Sequence, residues 1–136
     1  MSTKRTENYQ LHAWEPGDDF LLREINENFA ALDDGVRMAT GTYEGVSSKT
    51  NEDIVSSIDL GFTPKAVLVF NNWGMTGYER TTFGGLALPG AWVGDSGHFA
   101  VKITEGGFQV RSGSGGSTNS MSANSVYYSY HYIALR

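Results

Sequence analysis

The chain has 136 residues, enough for one domain-sized core but not for two substantial ones. It has no cysteine, which excludes a disulfide framework and a thiolate metal site, and its net charge of -5, with Lys and Arg scattered singly, offers no basic stripe for nucleic acid. No run approaches the ~18 apolar residues of a membrane span, and residues 1–7 lack the apolar stretch of a signal peptide, so the expectation is a protein made in a cytoplasm and not inserted in a membrane.

Residues 1–17 read as an extended arm whose only large apolar groups are Tyr9, Leu11 and Trp14, a segment suited to docking on another protein. Pro16 and Gly17 punctuate its end, and Asp18 or Asp19 can cap a helix running to about Asp34. That helix would be ~25 Å long at ~1.5 Å per residue, with Gly35 as a left-handed C-terminal cap. Leu22, Ile25, Phe29, Leu32 and Val36 recur at spacings of three and four, which places them in one stripe that a single helix cannot bury by itself. The stripe predicts an oligomerisation seam, and residues 18–36 a stalk in a homotrimer. Two heptads are fewer than the three or four of a secure coiled coil, so docking of the seam on the chain's own β part stays open. Glu24, Glu27, Asn28, Asp33 and Asp34 lie off the seam and read as a solvated face.

From Gly41 the apolar period changes to two, and residues 41–136 are expected to form a β head domain. Ile54, Ser56, Ile58 and Leu60 alternate as a half-buried strand, whereas residues 65–70 form a more continuous apolar run, suited to a strand covered on both faces. Residues 98–103 and 107–111 flank a Thr-Glu-Gly-Gly hairpin signal, and residues 125–134 alternate as the closing strand. Short strands, glycine turns and no second helix predict an antiparallel β-sandwich or barrel, mainly β overall. Residues 112–124, nearly all Ser, Gly, Thr and Asn, read as a mobile loop or one ordered by a neighbouring subunit.

The two other long connections carry rings. Trp73, Tyr78 and Trp92 sit among Asn72, Arg80 and Asp95, pairing stacking surfaces with planar hydrogen-bonding groups, as a sugar or peptide ligand requires. These six are the candidate ligand-binding residues. No catalytic constellation accompanies them: His12, His98 and His131 have no metal-ligand spacing, and the Ser-Gly run at 112–117 lacks the strand-to-helix turn of a nucleophile or phosphate loop. Neither an enzyme nor a cofactor is expected.

Tyr9-Gln-Leu-x-x-Trp14, Asn26-Glu-Asn-Phe-x-x-Leu32-Asp, Gly41-Thr-Tyr-x-Gly45 and Ile58-x-Leu-Gly-Phe-Thr-Pro-Lys-Ala-Val67 resemble small tail-associated proteins of phages and prophages of Gram-positive bacteria. Phe62-Thr-Pro64, Gly107-Phe-Gln-Val110 and Tyr132-Ile-Ala134 are similar to strands of the H-type lectin sandwich. The resemblance implies a homotrimeric receptor-binding or fibre-tip protein in a virion or phage-like particle. Its N-terminal arm would attach to a tail or baseplate protein, and its β-sandwich head would recognise a bacterial cell-surface glycan or protein. It implies no lectin sugar site here, because the final strand has Tyr130 and Tyr132 where tryptophan is common.

Overall fold

The computed structural model of the chain describes residues 1–35, 37–48, 53–95, 97–116 and 119–136, and it is mainly β with one short helix. The chain divides into two units, Met1–Arg37 and Met38–Arg136. No helix among the described residues is long and apolar enough to cross a membrane.

In the first unit, strands β1 (Lys4–Arg5) and β2 (His12–Ala13) pair antiparallel, and helix α1 spans Leu22–Asp33. The arm is therefore a hairpin that folds on α1, and it folds on the face expected to be solvated. Glu24 is only 1% exposed: its two oxygens accept the Ser2 amide at 3.0 and 2.9 Å, and one also accepts the Trp14 indole N–H at 2.9 Å. One turn on, Asn28 acts as a substitute strand partner for β2. Its Oδ1 accepts the His12 amide at 2.6 Å and its Nδ2 donates to the His12 carbonyl at 2.9 Å. The buried His12 ring lies between the Ser2 hydroxyl and the Glu27 carboxylate, 2.6 Å from each. Spacing of three and four puts these acceptors on one stripe, and a buried carboxylate is tolerated where donors saturate it.

The helix ends also differ from expectation. α1 begins at Leu22 without a side-chain cap, because the Asp18 carboxylate is engaged by the arm: it accepts from the Thr3 amide and hydroxyl, both at 3.0 Å, and from the Glu15 amide at 2.9 Å. At the other end Asp34 closes the helix in a right-handed conformation, so no left-handed glycine cap forms at Gly35. With the polar stripe covered, the apolar one faces outward: Leu22 is 70%, Phe29 65% and Leu32 49% exposed, and Ile25 is half-buried. Val36, the fifth seam position, lies outside the described residues.

Burial pushes the Glu24 carboxyl up. The Ser2 amide, the Trp14 indole, the terminal ammonium and His12 outweigh that effect and hold it below its ordinary 4.5. The amides of Glu15 and Thr3 hold Asp18 below 3.8. Where these groups titrate, the folded unit binds fewer protons than the unfolded chain. Their contribution is thus complete above about pH 4.5 and is lost as pH falls through the depressed folded values. Protection of the Ser2 amide from hydrogen exchange is expected to fall on acidification below about pH 4; protection unchanged down to about pH 2 would refute this.

The second unit contains a four-stranded and a seven-stranded sheet. The first has the order β3 (Met38–Glu44), β13 (Ser129–Leu135), β5 (Ala66–Asn71), β8 (Gly85–Ala87). In the second, β6 (Gly77–Tyr78), β7 (Thr81–Thr82), β12 (Ser120–Ser122), β11 (Gly107–Ser114), β10 (His98–Thr104) and β9 (Val93–Asp95) run in order, and β4 (Ile54–Asp59) also pairs with β11. Among the described residues the strand pairings are antiparallel except β7 with β12, and Ser47 and Ser125 form an isolated parallel bridge, departures from the all-antiparallel expectation. The predicted hairpin is the β10–β11 connection, closed by Glu105 and by Gly106 at φ 79°, a conformation glycine adopts without strain.

Period-two patterning sorts the four-stranded sheet into two faces. Val67, Val69, Tyr130, Ala134 and Ala87 face a core shared with Ala100, Val101, Phe108, Val110 and Met121 of the other sheet. Tyr43 and Tyr130 stack with centroids 4.9 Å apart, the Tyr43 hydroxyl donates to the Ala123 carbonyl at 2.6 Å, and burial pushes the Tyr130 phenol up to about 12. Gly41 is required beneath the cross-strand Tyr132 ring, which a side chain would meet at 2.5 Å. On the opposite face, the row Thr40, Ile133, Leu68, Leu86 crosses all four strands.

Two expectations for this unit are corrected. β5 is fully covered on one face only, since Ala66, Leu68 and Phe70 on the other face are half-buried. Within the Ser-Gly stretch 112–124, of which residues 117 and 118 lie outside the described residues, Ser112, Gly113, Met121, Ala123 and Asn124 are buried as parts of β11, β12 and the turn after it rather than loose. Asn124 explains how, because its amide donates to the Ser56 hydroxyl at 2.9 Å and its backbone N–H to the Ser112 hydroxyl at 2.9 Å, satisfying buried polar groups that a core would otherwise reject.

Candidate functional site

The local sequence at the end of β5 dictates a turn. Asn71 is fully buried, and its Oδ1 accepts the backbone amides of Trp73 at 3.0 Å and Met75 at 2.9 Å, fixing residues 71–75 in an Asx-type loop that displays Trp73. Its Nδ2 has no hydrogen-bond partner among the described residues, so the turn is held at the cost of one orphaned donor. The Asn72 amide donates to the Ser129 carbonyl at 2.8 Å, tying this loop to the start of β13.

A second turn, residues 125–128, stands beside it. The Tyr128 amide donates to the Ser125 carbonyl at 3.2 Å, the Val126 amide to the Ser47 carbonyl at 2.9 Å, and the Gly45 amide to the Tyr128 carbonyl at 3.4 Å. Tyr128 joins the two turns through rings: it meets Trp73 edge-on at 5.4 Å and Phe83 at 5.0 Å, so the exposed indole rests on a ring continuous with the core. Trp73 is 66% and Tyr127 75% exposed, large aromatic surfaces on loops braced from behind. No Lys or Arg lies in either turn.

Of the six candidate residues, Trp73 and Asn72 belong to this aromatic pair of turns. Tyr78, 61% exposed, and Arg80 lie on the β6–β7 hairpin, where the Arg80 carbonyl accepts the Ser120 amide at 2.9 Å. Asp95, at the end of β9, accepts a hydrogen bond from the Asn119 amide group, so Arg80 and Asp95 both reach the Asn119–Ser120 segment. Trp92, half-exposed, stands apart, with no ring contact among the described residues. Tyr127, Tyr128 and Asn119 were not among the candidates. The tyrosines share the alternating pattern of β13 and read as strand, and only the Asn-Ser pair before them hints at a turn.

Among the described residues no group of three or more His, Asp or Glu side chains is placed to hold a metal ion. Of the histidines, His12 is buried in the N-terminal unit, and His131 stacks on Phe70 with centroids 5.6 Å apart. Compared with protein-family models, curated proteins and solved structures, the chain matches none of them.

Proposed function

We propose that the chain is a receptor-binding protein at the tip of a phage tail fibre or related particle. It would be a homotrimer whose N-terminal unit attaches to a tail or baseplate protein and whose H-type-lectin-like β-sandwich head recognises a bacterial cell-surface ligand. One observation carries the reading. Met38, where the N-terminal unit joins, pairs with Leu135 at one end of the four-stranded sheet, and the exposed Trp73 and Tyr127 turns adjoin Asn71 and Ser129 at the other. Six residues at ~3.3 Å separate the ends by ~20 Å, so the head can be held at one end and bind at the other. Uncharged turns bearing rings and the Asn72 side-chain carboxamide suit a neutral glycan that stacks and hydrogen-bonds better than an anionic wall polymer, which a chain of net charge -5 would repel. Tyr78, Arg80 and Asp95 make a second contact zone, and Trp92 is a separate exposed ring.

The test is saturable binding of the labelled full chain to cells and wall fragments of a panel of Gram-positive bacteria. Binding to a subset is expected. Assembly into a tail particle with no binding to any wall would instead indicate a structural tail component.

The trimer is supported by the exposed stripe Leu22, Ile25, Phe29, Leu32. Light scattering should give about three times 14.8 kDa. Phe29→Asp should split the oligomer, because an unpaired carboxylate in an apolar seam is costly. A wild-type monomer at micromolar concentration would refute the trimer, and a Phe29→Asp variant of unchanged mass would refute the seam.

A further inference from the structure

The outer face of the β3–β13–β5–β8 sheet is unusual for a surface open to water. Its central row of Thr40, Ile133, Leu68 and Leu86 has apolar side chains on three adjacent strands, and Met38 and Phe70 extend it toward the two ends. Leu86 is 60% and Met38 65% exposed. Although 18% of the chain is charged, among the described residues of this face the only formally charged side chain is Glu44, at the end of β3, where it accepts the Ser129 hydroxyl, and the only titratable one besides it is His131, stacked on Phe70. Three strands of six residues and the three-residue β8, at ~3.3 Å per residue and ~4.8 Å per strand, give a face of ~330 Å² whose centre is apolar and whose edge carries Thr42, Ser129, His131 and Glu44.

We infer that this face packs against its own copies and is the second interface of the trimer, an inference that rests on the trimeric reading above. Three features select a copy of this chain as the occupant. The α1 seam is too short to hold three chains alone: twelve residues, ~18 Å at ~1.5 Å each, fall below the three or four heptads that sustain a coiled coil, so a trimer needs more buried area. Next, Met38, the first residue of the β unit, itself lies on this face beside Leu135, so the apolar surface reaches the end of the sheet at which the chain enters. Finally, a face almost without charge meets itself without repulsion, whereas the rest of an acidic chain would repel its copies.

The test is the dissociation of the full-length oligomer measured by sedimentation over a dilution series. Leu86→Arg should raise the concentration at which trimers dissociate at least ~30-fold, as loss of a central anchor does. Val55→Arg, at a 45% exposed position on β4 of the other sheet, should leave it unchanged. Circular dichroism would confirm that each variant is folded, and Met38→Arg on the same face gives a second reading should Leu86→Arg not fold. A wild-type trimer that neither substitution weakens overturns this interface while leaving the trimeric reading intact. A wild-type monomer overturns the trimeric reading, and this inference with it.

Discussion

Val67→Asp is expected to leave the β unit without a cooperative fold, while Leu68→Asp, one residue along, folds. Val67 is fully buried, faces the core, and pairs with Ala134 on one side and Ala87 on the other, so a carboxylate there would find neither water nor a donor. The cost combines a lost apolar side chain with a buried unpaired charge, ~4 kcal/mol or more, against a total stability of ~5–15 kcal/mol for a domain of this kind. Leu68 points to the outer face, where within one protomer it is half-buried, so its new charge can be hydrated in a folded chain even where it weakens packing of that face against its copies. Denaturant unfolding followed by tryptophan fluorescence separates the outcomes. A Val67→Asp variant with a near-normal midpoint would refute the inward register of β5, and collapse of both variants would mean that the strand is covered on both faces after all.

That contrast shows where the sequence was legible. Period-two runs were readable as β4 and β13 because alternate residues of each face the core, whereas β10 and β11, which bury residues on both faces, were readable from the Glu105–Gly106 turn that joins them. β5 was readable as a strand, yet its apolar outer face looked like a second buried face, since composition cannot distinguish a core contact from a surface awaiting a partner. The N-terminal unit misled in the opposite sense. Glu24 and Asn28 look like solvent-facing residues in any helical pattern, and only the donors brought from sixteen to twenty-two residues upstream, by Ser2 and the His12 backbone, make their burial favourable. The two ends of the Ser-Gly stretch, residues 112–113 and 121–124, misled because small polar residues can fill a core once the Ser112 hydroxyl accepts the Asn124 amide. At the candidate site Trp73 stood out from its loop context, whereas Tyr127 and Tyr128 were concealed in an alternation that continues unbroken into β13.

Substituting alanine at both Trp73 and Tyr127 should abolish binding to bacterial walls with little change in folding. Both rings project from turns fixed by backbone contacts: residues 71–75 by the Asn71 carboxamide, residues 125–128 by bonds to Ser125 and Ser47. At 66% and 75% exposure they bury too little apolar area for truncation to unfold the head. In a bound complex the same rings would be the desolvated anchors. Losing one central anchor typically costs over ~2 kcal/mol, about 30-fold in affinity per site, and three sites engaged together multiply the loss through avidity. Each single variant should therefore weaken adsorption of the trimer by well over ~30-fold, and the double variant should not adsorb at all. Trp92→Ala, with its ring apart from both turns, should have the smaller effect. Normal adsorption by the double variant would remove the aromatic turns from any role in recognition. Loss of adsorption together with a lowered melting temperature would show instead that Trp73 supports Tyr128 and the core behind it rather than a ligand in front.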